Sequence, residues 1–228
     1  MANKKIDAYL RLAKIFKQKG FNLYLVGGTV RDFLLHIPLT DMDLATDAVP
    51  NQMIPFLDNP DTSFQQYGVI KYNFEGVKFD ITTLRIEDNY DDSRHPKKIK
   101  FVTDLKKDYV RRDFTINAMY LDSYFVLYDY AKGQEDLKNK VIRFVGNPKK
   151  RIKEDPLRIM RAIRFSLKYG FTIEKKSEEM MKKYSSLLSN INPEKLKEEI
   201  RKIGDVDEGL KNKLFNNFGI QQIIDMLQ

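Results

Sequence analysis

The chain has 228 residues, 42% of them hydrophobic and 32% charged, which is enough apolar material to bury a core in one large or two small domains. Cysteine is absent, so disulfides and thiolate metal sites are excluded; there is no apolar run near eighteen residues and no apolar N-terminal leader, so the expected compartment is the cytoplasm and no membrane partner is expected. Formal net charge is +8 with a pI near 9.3, and Lys138 to Lys202 alone holds 19 Lys and Arg against 8 Asp and Glu, a surplus larger than that of the whole chain. One basic half is expected, either as a face for a polyanion or as ordinary solubilising charge.

In chain order, apolar residues at helical spacing (Ile6, Leu10, Ala13, Phe16) predict a first helix over 6–19. Leu23 to Val26 reads as a strand entering the Gly27-Gly28 pair, followed by a helix from Val30 to Leu35 capped by Thr29. Asp41-Met42-Asp43 reads as a second strand, and a short helix follows Pro50. Tyr67 to Phe74 and Val77 to Leu84, rich in β-branched and aromatic residues, form a hairpin turned at Glu75-Gly76. Residues 86–100 are polar with one proline and read as a mobile loop. Short strands are expected at Tyr124 to Tyr130 and Val141 to Val145. Beyond Pro148 the pattern is helical, with helices near 150–168, 174–186, 193–203 and 207–226. This divides the chain into a mixed domain over 1–137 and a helical one over 138–228.

The chemistry concentrates first in LVGGTVRDFLLHIPLTDMDLA, residues 25–45. Two residues without Cβ let backbone N–H groups approach a phosphate closely, a helix start adds unpaired donors, and Arg31 adds a charge-assisted fork. In a strand, residues two apart share a face, so the carboxylates of Asp41 and Asp43 converge. Hard oxygen ligands of this kind suit Mg²⁺, which bridges phosphate oxygens and lowers the pKa of an attacking hydroxyl. Asp80, in VKFDIT, falls on the face opposite Phe79 and Ile81 and is a third acidic candidate on a neighbouring strand. Taken singly, a Gly-Gly pair is the pattern of an ordinary turn and Asp-X-Asp that of a solvated surface; only the ordered combination is specific.

Two later segments add charge in a pattern. RRDFTINAMY places Arg111, Arg112 and Asp113 before an apolar run, which also fits a basic turn leading into the core. EDPLRIMRAIRF puts Asp155 just ahead of Pro156 at a helix start, with Arg158, Arg161 and Arg164 following at steps of three. Such steps rotate by about −60° each, so neighbours are adjacent while the row spirals. One end can face a base and the other a triphosphate; an exposed ion-paired helix is the plainer alternative.

In this order and spacing, LVGGTVRD, DMDLAT, RRDFTINAM and EDPLRIMRAIRF resemble the bacterial-type (class II) tRNA nucleotidyltransferase and poly(A) polymerase family, over roughly residues 20–203. NINPEKLKEEIRKIG is similar to the family's neck segment. The resemblance implies an α+β fold: a polymerase-β-like nucleotidyltransferase head with a mixed sheet and helices, then an all-helical neck. It implies Mg²⁺ on Asp41 and Asp43, and nucleotide contacts from Gly28, Arg31, Arg112, Asp155, Arg158, Arg161 and Arg164, with Gly27 in the same turn. Asp155 and Arg158 are implied to read the incoming base without a nucleic-acid template. A carboxylate acceptor beside a guanidinium donor matches the amino group and ring nitrogen of cytosine and adenine, and opposes the reversed order of uracil and guanine.

The partners implied are CTP, ATP and the tRNA 3′ end. Residues 84–96, LRIEDNYDDSRHP, are similar to the flexible loop of CCA- and A-adding members, which favours CCA addition, with A-only addition next. Poly(A) addition, and an RNA-binding module with an inactive nucleotide site, remain as alternatives. Members of the family usually continue through helical body and tail domains that grip tRNA. The sequence ends about twenty-five residues after the neck match, which fits a shortened form, a naturally minimal enzyme, or one half of a partnership in which a second copy or a partner chain supplies the missing grip.

Overall fold

A computed structural model of the protein describes residues 2–90 and 96–226. The described residues form two compact units, one from Met1–Asp88, Lys98–Arg112 and Ile116–Gln134, the other from Asn89–Lys97, Asp113–Thr115 and Glu135–Gln228.

The first unit is built on a six-stranded mixed sheet. Its strands are β1 (Leu23–Val26), β2 (Asp43–Thr46), β3 (Val69–Phe74), β4 (Val77–Thr83), β7 (Met119–Leu121) and β8 (Leu127–Asp129), with β5 (Arg85–Tyr90) and β6 (Pro96–Phe101) forming a separate two-stranded pair. The order is β3-β4-β2-β1-β7-β8; β2 and β4 run parallel, and the other neighbours are antiparallel. Helix α1 (Ala2–Gln18) buries Ile6, Tyr9, Leu12, Ala13 and Phe16 at helical spacing. The Tyr9 hydroxyl lies 3.0 and 3.1 Å from the carbonyl oxygens of Leu23 and Leu121, fixing α1 to β1 and β7. Val26, Ala45, Leu84, Leu105 and Tyr120 form one buried cluster, so the central strands are held by apolar packing as well as by their ladders.

The predicted first helix, β1, the β3–β4 hairpin and the short helix at Pro50 (α3, Pro50–Met53) are all present. Three expectations change. The helix after the glycines, α2, spans Gly28–Leu34 with Gly27 as its N-cap, so Thr29 is not the cap but lies within the first turn. Strand β2 begins at Asp43, and Asp41 precedes it, although buried Met42 between exposed Asp41 and half-buried Asp43 keeps the alternation. The loop expected over 86–100 is instead largely strand, β5 and β6, whose charged and polar residues leave no apolar alternation to read; residues 91–95 of that expected loop lie outside the described residues.

The second unit is mainly helical: α6 (Pro148–Glu154), α7 (Leu157–Tyr169), α8 (Lys175–Tyr184), α9 (Pro193–Arg201), α10 (Glu208–Asn217) and α11 (Gln221–Asp225), with a parallel two-stranded ribbon of β9 (Val141–Ile142) and β10 (Thr172–Ile173). Helix α6 packs on α8, and α7 on α9. Fully buried Phe114 meets Phe144 at 4.9 Å and Phe165 at 5.7 Å between ring centroids. The single helix expected over 150–168 is two helices, since Pro156 holds Asp155 extended at φ −151°, ψ 97°. The strand expected through Val145 ends at Ile142, and the one expected at Tyr124 to Tyr130 is confined to β8, after Phe125 at φ 60°.

Gly68 gives a stability test. Its φ is +76°, and a Cβ there would lie 2.5 Å from the Phe101 ring, whereas Gly204, also at φ +76°, has no heavy atom within 4 Å of that position. Gly68→Ala is expected to cost about 1–3 kcal/mol more than Gly204→Ala, which bears only the backbone strain. Urea unfolding midpoints at unchanged slope measure the difference; equal costs would show that Phe101 yields freely.

Candidate active site

Strand β1 delivers the chain to Gly27, whose φ of 66° and ψ of −132° few side-chain-bearing residues adopt. A Cβ on Gly27 would lie 3.7 Å from Asp43 Oδ2 and 3.9 Å from Arg112 Nη1, so a carboxylate and a guanidinium flank a position with no side chain of its own. Thr29, displaced from the cap, does other work here. Its hydroxyl accepts from the Asp43 backbone N–H at 2.8 Å and donates to the Asp41 carbonyl at 3.2 Å, clamping the Asp41–Asp43 segment to the first turn of α2. Arg31 is buried; its Nε donates to Asp32 at 2.9 Å and its Nη1 to Asn117 Oδ1 at 2.7 Å. Its Nη2 would be 3.3 Å from a Cβ on Gly28, so that glycine makes room for the guanidinium.

Asp80 is the register partner of Asp43 on the parallel neighbour β4, beside buried Phe79 and Ile81 on the opposite face. Its carboxylate is 2.9 Å from Lys71 Nζ, in a pair about half exposed on both sides, which contributes little to stability. Among the described residues, no group of three or more His, Asp or Glu side chains could by itself enclose a metal ion. Asp41 and Asp43 nonetheless fit Mg²⁺, which is ordinarily held by one or two carboxylates with water and phosphate oxygens completing the shell.

Arg112 belongs to a buried network that the sequence did not announce. Asp108, fully buried, accepts from Arg112 Nη2 at 2.8 Å, Arg111 Nε at 2.9 Å, the Tyr120 hydroxyl at 2.6 Å and the Arg85 backbone N–H at 2.9 Å. Burial alone would push the Asp108 carboxyl up, but Arg111 and Arg112, with Tyr120 and the Arg85 amide, hold it far below the usual carboxylate range. Arg112 Nε also donates to the Tyr120 oxygen at 2.9 Å. The available signal was spacing: Asp108 stands three and four residues before Arg111 and Arg112. Nothing comparable marked Asn117 as the partner of Arg31.

In the helical unit, Asp155 heads α7 and its Oδ1 accepts the Leu157 N–H at 3.1 Å. The three arginines point to three different acids. Arg158 Nη1 donates to Glu154 Oε2 at 3.1 Å and to the Arg151 carbonyl at 2.9 Å, and Arg151 holds the other Glu154 oxygen at 2.6 Å. Arg161 Nε donates to Asp113 at 2.8 Å. Arg164 Nε donates to buried Glu199 at 2.8 Å and lies 4.3 Å from the Phe165 ring centroid. Side-chain exposure is 8% for Arg158, 33% for Arg161 and 11% for Arg164, so the row is not an exposed ion-paired face. Neither Glu154 nor Glu199 is among the residues predicted from sequence for the site.

A family model described as poly A polymerase head domain matches residues 23–143, and one described as probable RNA and SrmB-binding site of polymerase A matches residues 170–203. The chain belongs to the poly A polymerase head-domain family, and its mixed sheet with helices is the α+β nucleotidyltransferase fold. It is 38% identical over 192 residues to the CCA-adding enzyme of Staphylococcus epidermidis, covering 84% of this chain and 48% of that protein. With the CCA-adding enzyme of Lactobacillus helveticus it shares 42% over 186 residues, 81% of this chain and 46% of that one. Among solved structures it is similar to the Bacillus stearothermophilus CCA-adding enzyme in complex with CTP, with a TM-score of 0.80, 33% identity, and coverage of 87% of this chain and 48% of that one. The Thermotoga maritima CCA-adding enzyme complexed with tRNA-CCA gives 0.76 and 26%, covering 96% and 54%. The chain therefore spans about half the length of the relatives it matches.

Asp108→Asn should destabilise the protein by about 3–5 kcal/mol near neutral pH, because the largely buried guanidinium of Arg112 loses its carboxylate and that of Arg111 is left with Glu87, at 3.2 Å. The sign follows from the lowered carboxyl: the stabilisation is fully present above the unfolded carboxyl pKa of about 3.9 and is lost as pH falls through the lower folded value. Denaturation of both proteins from neutral to acid pH tests this; a deficit that stays constant through acid would contradict the network.

Proposed function

We propose that this chain carries out template-independent transfer of CMP or AMP from CTP or ATP to the 3′ end of tRNA, releasing pyrophosphate. The observation that supports this most is the pairing at Gly27 of the Asp43 carboxylate and the Arg112 guanidinium across a residue with no side chain. A triphosphate needs cation-binding oxygens and phosphate donors around the same open spot. The name CCA-adding enzyme, borne by the relatives, favours tRNA as acceptor.

Asp41 and Asp43 are the proposed ligands of Mg²⁺, which when bound lowers the pKa of the attacking hydroxyl and offsets charge on the phosphates. Asp80 is proposed as a third carboxylate of the same face. The chain's own residues do the positioning. Backbone N–H groups at Gly27 and Gly28, with Arg31 and Arg112, would orient the triphosphate so that the tRNA 3′ oxygen bonds to the α-phosphorus while the bond from that phosphorus to the β-phosphate bridging oxygen breaks. The hydroxyl proton goes to solvent, and pyrophosphate carries away the electron pair. Asp155 would accept from the amino group of cytosine or adenine while Arg158 donates to the ring nitrogen. Arg161 and Arg164 would complete the nucleotide contacts. Residues 1–137 then carry transfer, and 138–228 base selection and RNA contact, in a cytoplasmic protein. Poly(A)-type addition differs in product: a ladder without fixed length instead of a defined end.

The deciding experiment incubates the protein with tRNA ending before, within or after CCA, with each NTP separately, and sequences the product ends. Defined C and A additions are expected; an unbounded A ladder would favour the poly(A) reading, and no extension by any NTP an inactive nucleotide site. Asp43→Ala should remove nearly all turnover while leaving the fold intact, and near-normal turnover would end the metal assignment.

Asp155→Ala should reduce discrimination for CTP and ATP over UTP and GTP, on the order of 1–3 kcal/mol per lost base contact, more than it slows any single nucleotide. Side-by-side kcat/KM for the four NTPs measures this. Unchanged discrimination would mean that the base is read elsewhere and that Asp155 serves the start of α7, where it accepts the Leu157 amide.

A further inference from the structure

On the first unit, away from Gly27, a cavity of about 210 Å³ lies between the end of α1 and the β7–β8 hairpin. Its lining includes Tyr24, Tyr124, Tyr128 and Asp122, with Lys17 and Phe21 on the helix side. The Tyr24 and Tyr128 rings meet nearly perpendicularly, 85° apart at 5.9 Å between centroids, as two walls of a box would. Tyr124 is 79% exposed at the hairpin tip.

Three features of this cavity share one sign. The Asp122 carboxylate is fixed in place: Oδ1 accepts the backbone N–H groups of Tyr124 and Val126, each at 2.9 Å, and Oδ2 accepts the Tyr128 hydroxyl at 3.2 Å. Helix α1, seventeen residues long, brings its negative end here. A tyrosine ring carries negative charge density on its faces, and those of exposed Tyr124 are open at the cavity. The hydroxyls respond to this surrounding: burial, then nearby Asp47, Tyr128 and Asp122, push Tyr24 up to about 12, and burial and Asp122 raise Tyr128. On a chain with net charge +8, a cavity of this character favours a cation.

We infer that this tyrosine-walled cavity, with Asp122 fixed at its edge, is a binding site for a small alkylammonium ion. The nucleotide chemistry proposed above plays no part in it. The volume admits an ammonium head with a short chain, and no reaction follows from binding. Lys17, exposed on the rim, is the opposing charge there and weakens the site for any incoming cation.

The test titrates tetramethylammonium and 1,4-diaminobutane, each against NaCl of matched ionic strength, and follows the NMR signals of isotope-labelled tyrosines together with the Asp122 to Val126 amides. Saturable shifts confined to this hairpin and to Tyr24 are expected with either amine and absent with NaCl. Tyr124→Ala should weaken binding about threefold or more, and Lys17→Gln should tighten it, with both variants unfolding at the wild-type temperature. A response equal to that of NaCl, shifts spread over unrelated carboxylates, or no effect of either substitution would overturn the assignment.

Discussion

The fold rests on a demand that arginine makes of its surroundings. A guanidinium does not deprotonate, so one that enters the interior must bring a negative partner or lose several kcal/mol. The chain answers each time: Arg31 has Asp32, Arg111 and Arg112 share Asp108, Arg151 and Arg158 share Glu154, Arg161 has Asp113, and Arg164 has Glu199. Stability alone would be served as well by apolar residues of like volume. What the pairs add is direction, since a planar fork held at two edges has few orientations left and loses little freedom when a further anion arrives.

Backbone geometry supplies the complementary constraint. Strand β2 sits between β1 and β4, so Asp43 is flanked by the glycine turn on one side and by Asp80 in register on the other. Thr29 then ties the Asp41–Asp43 segment to α2 through one hydroxyl used as both donor and acceptor. A threonine cap, as the sequence implied, would have spent that oxygen on its own helix.

This contrast shows where sequence reasoning worked and where it stopped. Periodicity located α1, β1 and the β3–β4 hairpin because burial of Ile6, Leu12, Leu25, Ile70 and Phe79 imposes the pattern directly. Charged and polar residues obscure the same signal in β5 and β6, and there the expectation failed. Asp43 was legible because adjacent glycines and carboxylates cluster within one short run. Asn117 and Glu199 were not: their meaning lies in which arginine folding brings to them, from 86 residues away in the case of Asn117 and Arg31 and 35 in that of Glu199 and Arg164. Asp108 falls between these cases, visible as a helical spacing but not as a buried centre.

The partition between arginine and lysine carries the argument one step further. Across 138–202, Arg151, Arg158 and Arg164 are buried, Arg161 is half-buried and only Arg143 and Arg201 are exposed, whereas every lysine is exposed except half-buried Lys197. The two cations are suited to these places: the weakly hydrated planar guanidinium tolerates a fixed ion pair, and the strongly hydrated ammonium does not. The internal arginines are largely neutralised by Glu154, Asp113 and Glu199, so the surplus charge of this segment resides chiefly in surface lysines, with exposed Arg201 beside them. A polyanion approaching this half therefore meets flexible point charges, whose attraction depends on salt and carries no base preference. Under the function proposed above, selectivity would instead fall to groups whose geometry is already set, such as Asp155 and Arg158 at the head of α7.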